Sequence, residues 1–113
     1  MESTRQNKVS RLLQKDLGDI FQKEGQNLFR NTMITVTKVN VTRDLSVAKV
    51  YLSLFSPSDK KQLLENIKRH TREIRFKLGK RIGKQVRLIP ELQFYMDDSL
   101  DYIENIEKLL DED

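Results

Sequence analysis

Few side chains in this sequence are equipped for covalent chemistry, and their spacing argues against an active site. Its single histidine, His70, lies in KRHTREI, and with no cysteine in the chain a zinc site of the His/Cys kind has one ligand at most. Asp97, Asp98 and Asp101 crowd three carboxylates into MDDSLDY. They precede an apolar helical pattern, where acids favour the unsatisfied N–H groups of a helix start, and they suit that role better than an acid/base pair or a cation site. No serine falls in GxSxG, and neither GxxxxGK[ST] nor GxGxxG occurs. The expectation is a protein that is not an enzyme and has no metal and no cofactor.

The residues that do form a constellation are cationic. From position 68 to 87 nine basic residues (Lys68, Arg69, Arg72, Arg75, Lys77, Lys80, Arg81, Lys84 and Arg87) stand against one acid, Glu73. Helical spacing puts Lys68, Arg72 and Arg75 on one flank and runs Lys77, Lys80, Arg81 and Lys84 along the helix beyond it. Like charges so spaced repel by roughly a few tenths of a kcal/mol per pair, which a phosphate backbone relieves. The run therefore reads as an RNA-binding face whose charges lie off the apolar phase and are not needed for folding. A merely solvated basic surface is the plain alternative. Aromatic residues are sparse, with five Phe, three Tyr and no Trp, mostly in apolar phase. No stacking platform is expected, so recognition should rest on backbone charge and RNA shape.

The chain that must position these charges has 113 residues, the length of one domain, read here as 1–113. Its net charge of +4 conceals a segregation. Residues 1–87 carry 20 Lys/Arg against 8 Asp/Glu, whereas residues 88–113 carry Lys108 against nine acids. A basic body with an acidic end suits a polyanion approached from one side. No segment approaches the ~18 apolar residues of a membrane span, and MESTRQNKVSRLL has no signal-peptide core, so no membrane association and a cytoplasmic location are expected.

Periodicity supplies the elements. Val9, Leu12, Leu13, Leu17, Ile20 and Phe21 form one stripe of a helix over about 3–24, with Gly25 and Asn27 as its stop. A β-branched strand over 32–41 changes phase from Ile34 and Val36 to Val39 and Val41, predicting a bulge near Thr37 and Lys38. TRDLS is a turn, and 47–55 is a second strand with Ala48, Val50, Leu52 and Leu54 on one face. Ser56 or Ser58 caps the next helix, whose stripe from Leu63 to Ile82 is long enough to require a break near His70, Thr71 and Arg72. A third strand at 91–96 and a last helix, capped by Asp98 or Ser99 and carrying Leu100, Ile103, Ile106 and Leu110, complete the order α-β-β-α-α-β-α. The economical fold is α+β, a small three-stranded sheet with helices packed on one face.

Three stretches carry a family resemblance: NKVSRLLQKDLGDIFQKE, MITVTKVNVTRDLSVAKVYLSLF and IRFKLGKRIGKQVRLIPELQFYMDDSLDYIENIEKLL. The chain resembles bacterial ribosome-binding factor A over nearly its whole length, most specifically in VTRDLSVAKVY and PELQFYMDDSLDY. The resemblance implies a KH-like type II fold and a cytoplasmic ribosome-biogenesis factor, expected to be a monomer. Its partners would be the free small (30S) ribosomal subunit and its 16S rRNA, with roles in late maturation, rRNA end processing and cold adaptation. That family breaks its paired helices with an Ala-x-Gly element, whereas KRHTREIRFKLG places His70 and Arg72 at the alanine and glycine positions. A protein-binding adaptor with an acidic partner is the competing class. A hydrolase is disfavoured for want of any nucleophile and base.

Overall fold

The structure is a computed structural model that describes residues 3–29, 32–55 and 59–97, the side chains of 25–28 excepted. Six elements follow in the order α1 (Thr4–Leu28), β1 (Met33–Val41), β2 (Val47–Phe55), α2 (Lys60–Arg69), α3 (Thr71–Ile82) and β3 (Glu91–Met96). The expected last helix, with its caps Asp98 and Ser99, lies outside the described residues.

A capping box starts α1. The Ser3 amide donates to Gln6 Oε1 at 2.9 Å and the Gln6 amide to Ser3 Oγ at 3.1 Å. Leu13, Leu17, Ile20 and Phe21 are buried, while Arg5, Lys8, Arg11 and Lys15 are exposed on the other side. The helix does not stop at Gly25 and Asn27 but runs through to Leu28. The reason is tertiary: the next residue, Phe29, is buried with its ring 6.5 Å from Phe21 and 5.4 Å from His70. Burying a phenyl ring contributes about 1.5 to 3 kcal/mol, more than the ~1 kcal/mol a helical glycine costs.

The sheet is mixed, with order β1-β2-β3, β1 antiparallel and β3 parallel to β2. The register of β1 slips between Val36 and Lys38, leaving Thr37 as the extra residue at the expected bulge. Its hydroxyl donates to Asp97 Oδ2 at 2.6 Å and lies 3.2 Å from the Tyr51 carbonyl, tying the bulge to the end of β3. Thr32 falls outside the strand, and its hydroxyl donates to the Phe29 carbonyl. Ala48, Val50, Leu52 and Leu54 of β2 join Leu92 and Phe94 of β3 in one core with the helices, which cover a single sheet face. This is the α+β arrangement of a KH-like type II fold. Among the described residues no helix is long and apolar enough to cross a membrane.

Asp59 caps α2 by accepting from the Lys61 amide at 2.9 Å. An acidic side chain serves that position well, and it displaces the expected caps Ser56 and Ser58, which lie outside the described residues. The long apolar stripe is divided at His70, which closes α2 and opens α3 with φ −96° and ψ 12°. No glycine is needed, because this backbone is accessible to any residue.

Candidate nucleic-acid interface

His70 builds the junction between α2 and α3 from the inside. Its Nδ1 lies 2.8 Å from the Asn66 carbonyl, and its ring packs edge-on against Phe29 at 83°. A carbonyl only accepts, so Nδ1 carries the proton of that bond. Thr71 donates its hydroxyl to the Lys68 carbonyl at 2.7 Å, and the Ile74 amide reaches back to the His70 carbonyl. The imidazole is thus held by the core side of the junction and by its own helix. Arg69 and Arg72, on either side of it, are exposed and make no ion pair among the described residues.

The nine cations of the basic run do not share one surface. Arg72, Phe76 and Lys80, four residues apart, form the outward line of α3, where Lys80 Nζ stands 4.8 Å over the Phe76 ring. Arg75 turns toward the loop entering β3, donating from Nε to the Pro90 carbonyl at 3.1 Å and from Nη2 to the Ile89 carbonyl at 2.6 Å. Lys77 and Arg81 turn toward α1. Lys77 pairs with Glu24 at 2.9 Å, and Arg81 bonds Asp16 and Asp19 at 2.8 Å each. Those two carboxylates hold the Arg81 guanidinium above its ordinary pKa, chiefly through the Asp16 hydrogen bond. Against the expectation that these charges stand apart from the fold, three of them contact neighbouring elements. Arg75, Lys77 and Arg81 fasten α3 to its neighbours, because residues at the edges of a buried stripe reach adjacent elements.

What remains is a cleft at the junction. Lys68, Arg69, Arg72 and Arg75 line it from the helices and Arg87 from the loop opposite, with no acid among its lining residues. Lys77, Lys80, Arg81 and Lys84 lie outside it. Its apolar lining is open to solvent: Phe76 is 63% and Leu88 60% exposed. Sequence reasoning missed this aromatic. Phe76 is out of phase with Ile74, Leu78 and Ile82, and an apolar ring facing away from the core was the available signal. A second omission is on the open sheet face, where Tyr51 and Tyr95, in register across β2 and β3, stack at 5.5 Å. Tyr95 also borders a smaller cleft that Lys68 and Thr71 close from the junction side.

Cations, an exposed ring and a cleft open to solvent can hold a phosphate backbone and one unstacked base. Among the described residues no group of three His, Cys, Asp or Glu gathers to hold a metal ion. The model of the ribosome-binding factor A family matches residues 5–110. This chain belongs to that family. The ribosome-binding factor A of Cytophaga hutchinsonii is 52% identical over 110 residues, covering 97% of this chain and 83% of that protein. That of Flavobacterium johnsoniae is 50% identical over 111 residues, covering 97% and 85%. The fold matches the crystal structure of ribosome-binding factor A from Thermus thermophilus with a TM-score of 0.66 at 24% identity, over 80% of this chain and 94% of that one. It also matches, at TM-score 0.63 and 27% identity over 79% and 91%, a homology model of the Thermus thermophilus factor fitted into a cryo-EM map of its complex with the 30S subunit.

Proposed function

We propose that this chain is a non-catalytic ribosome assembly factor that binds the free small subunit through its 16S rRNA, with the cleft at the α2–α3 junction as the principal RNA contact. The observation that carries the reading is the cleft itself: five cations, no acid and an exposed phenyl ring in one concavity. Membership of a family named for ribosome binding, and a relative fitted into a map of a 30S complex, support the choice of partner. Arg69, Arg72 and Arg87 contact phosphates, and Lys68 reaches the same strand from the end of α2. Lys84 adds long-range attraction without lining the cleft, and Arg75 orders the loop that carries Arg87. Binding late in maturation supports processing of the rRNA ends and growth in the cold, and the factor acts as a cytoplasmic monomer.

Sedimentation of the tagged chain with separated small subunits, large subunits and whole ribosomes tests this. It should pellet with free small subunits and leave the other two. Association with large subunits alone, or retention of a stoichiometric protein partner after nuclease treatment, would contradict the reading and favour an adaptor.

A further inference from the structure

The junction cleft does not end at Arg87. That residue and Leu88 also line a second cleft, whose far wall is built from Arg5 at the start of α1 and Arg43 in the turn between β1 and β2. We propose that an RNA strand held at the α2–α3 junction continues past Arg87 into this second cleft, where Arg5 and Arg43 bind its phosphates. The proposal rests on the RNA-binding reading above and extends the surface by two residues outside the basic run.

Three chain segments converge there for reasons fixed by the fold. The Gln6 side chain donates to the Val41 carbonyl at 3.0 Å in a buried bond, which brings Arg5 beside the turn after β1. The Glu91 amide donates to the Ser46 carbonyl at 2.8 Å, and the parallel register pairs Val47 with Glu91. The loop that carries Arg87 therefore arrives next to the same turn. Arg75, by binding the Ile89 and Pro90 carbonyls, holds that loop from the opposite side.

The turn is ordered well enough to present a side chain. Asp44 accepts from the Thr42 hydroxyl at 2.8 Å, the Ser46 amide at 3.1 Å and the Ser46 hydroxyl at 2.7 Å. Leu45 takes the left-handed backbone, φ 62°, with its side chain partly buried against the core. Arg43 at the tip is exposed, and neither it nor Arg5 has an ion-pair partner among the described residues. Asp44 is the one carboxylate among the described residues lining this cleft, set against three guanidinium groups, and its Oδ1 accepts the turn's own donors. The excess charge is positive and points to an anion. A polyanion long enough to leave the first cleft is the ligand that uses both.

Salt-titrated binding to purified small subunits separates the possibilities, using wild type, R5Q/R43Q, R69Q/R72Q and the charge-matched K8Q/R11Q, whose side chains line neither cleft. Each lost phosphate contact should lower the log-log salt slope by roughly 0.7 to 0.9. We expect R5Q/R43Q to weaken binding about fivefold or more beyond K8Q/R11Q and to flatten the slope, with unchanged melting curves. If R69Q/R72Q weakens binding while R5Q/R43Q matches K8Q/R11Q, the second cleft is overturned and the junction stands. If neither pair exceeds the control, the RNA-binding reading of the junction has failed with it.

Discussion

Arg81 of α3 and Asp16 of α1 are joined by a 2.8 Å hydrogen bond between Nε and Oδ1, and Asp19 takes the same guanidinium from Nη2. This pairing ties to α1 a residue that its position in the basic run assigns to RNA. R81Q should lower the melting midpoint by a few degrees, as the loss of a partly exposed ion-pair network does. Small-subunit affinity should fall no further than for the single control K8Q. Thermal melts beside binding isotherms check this; an unchanged melt with a selective loss of binding would return Arg81 to the RNA face.

Arg75 is expected to act through the loop. R75Q removes two bonds to the Ile89 and Pro90 carbonyls, and hydrogen bonds from a charged donor to a partly exposed site are worth about 1 to 2 kcal/mol together. R75K should restore the charge but not the two-carbonyl geometry. Hydrogen exchange of residues 86–89 should rise in both variants, and equal protection in R75K and wild type would show that charge alone matters.

Ser10 is buried with a hydroxyl that has no hydrogen-bond partner among the described residues. An unmade buried bond costs about 1 to 3 kcal/mol, so S10A should stabilise the fold by roughly 1 kcal/mol. Chemical denaturation measures it, and a destabilised S10A would mean the hydroxyl is satisfied in solution.

Asp44 has its carboxyl held below the ordinary value of 3.8, first by the Ser46 side-chain hydrogen bond and then by that of Thr42. A depressed carboxylate stabilises the fold fully above its unfolded pKa and loses that contribution as pH falls through the lower folded value. Wild type and D44A should therefore differ in melting temperature near neutrality and converge in acid below 3.8. A constant gap at all pH values would show that the charge of Asp44 is not what orders the turn.

Most of the fold was legible because burial imposes a period. The β1 phase change located the bulge at Thr37, and the alternation in β2 and β3 placed both strands at their observed bounds. The end of α1 was not legible, since it depends on Phe29 meeting Phe21 and His70, contacts distant in sequence. The site was half legible. Charge density picked out the segment whose Lys68, Arg69, Arg72, Arg75 and Arg87 line the junction cleft, but the partition of its cations depends on which neighbours flank α3. The acids of α1 and the carbonyls of the β3 entry loop claim Lys77, Arg81 and Arg75 only once the chain is folded. Arg5 and Arg43 fall in unremarkable charge surroundings and become neighbours of Arg87 through the Gln6–Val41 bond and the parallel strand pair.

The most direct measurement is the affinity of R69Q/R72Q for free small subunits across a salt series, beside K8Q/R11Q and with melts of both. These arginines line the junction cleft and serve no other element, so melting should be unchanged. Affinity should drop at least tenfold, about 1.4 kcal/mol, and the salt slope by roughly 1.4 to 1.8 units, with a smaller loss in the control. Equal losses from the two pairs, or none from R69Q/R72Q, would contradict a defined RNA-binding face at the α2–α3 junction.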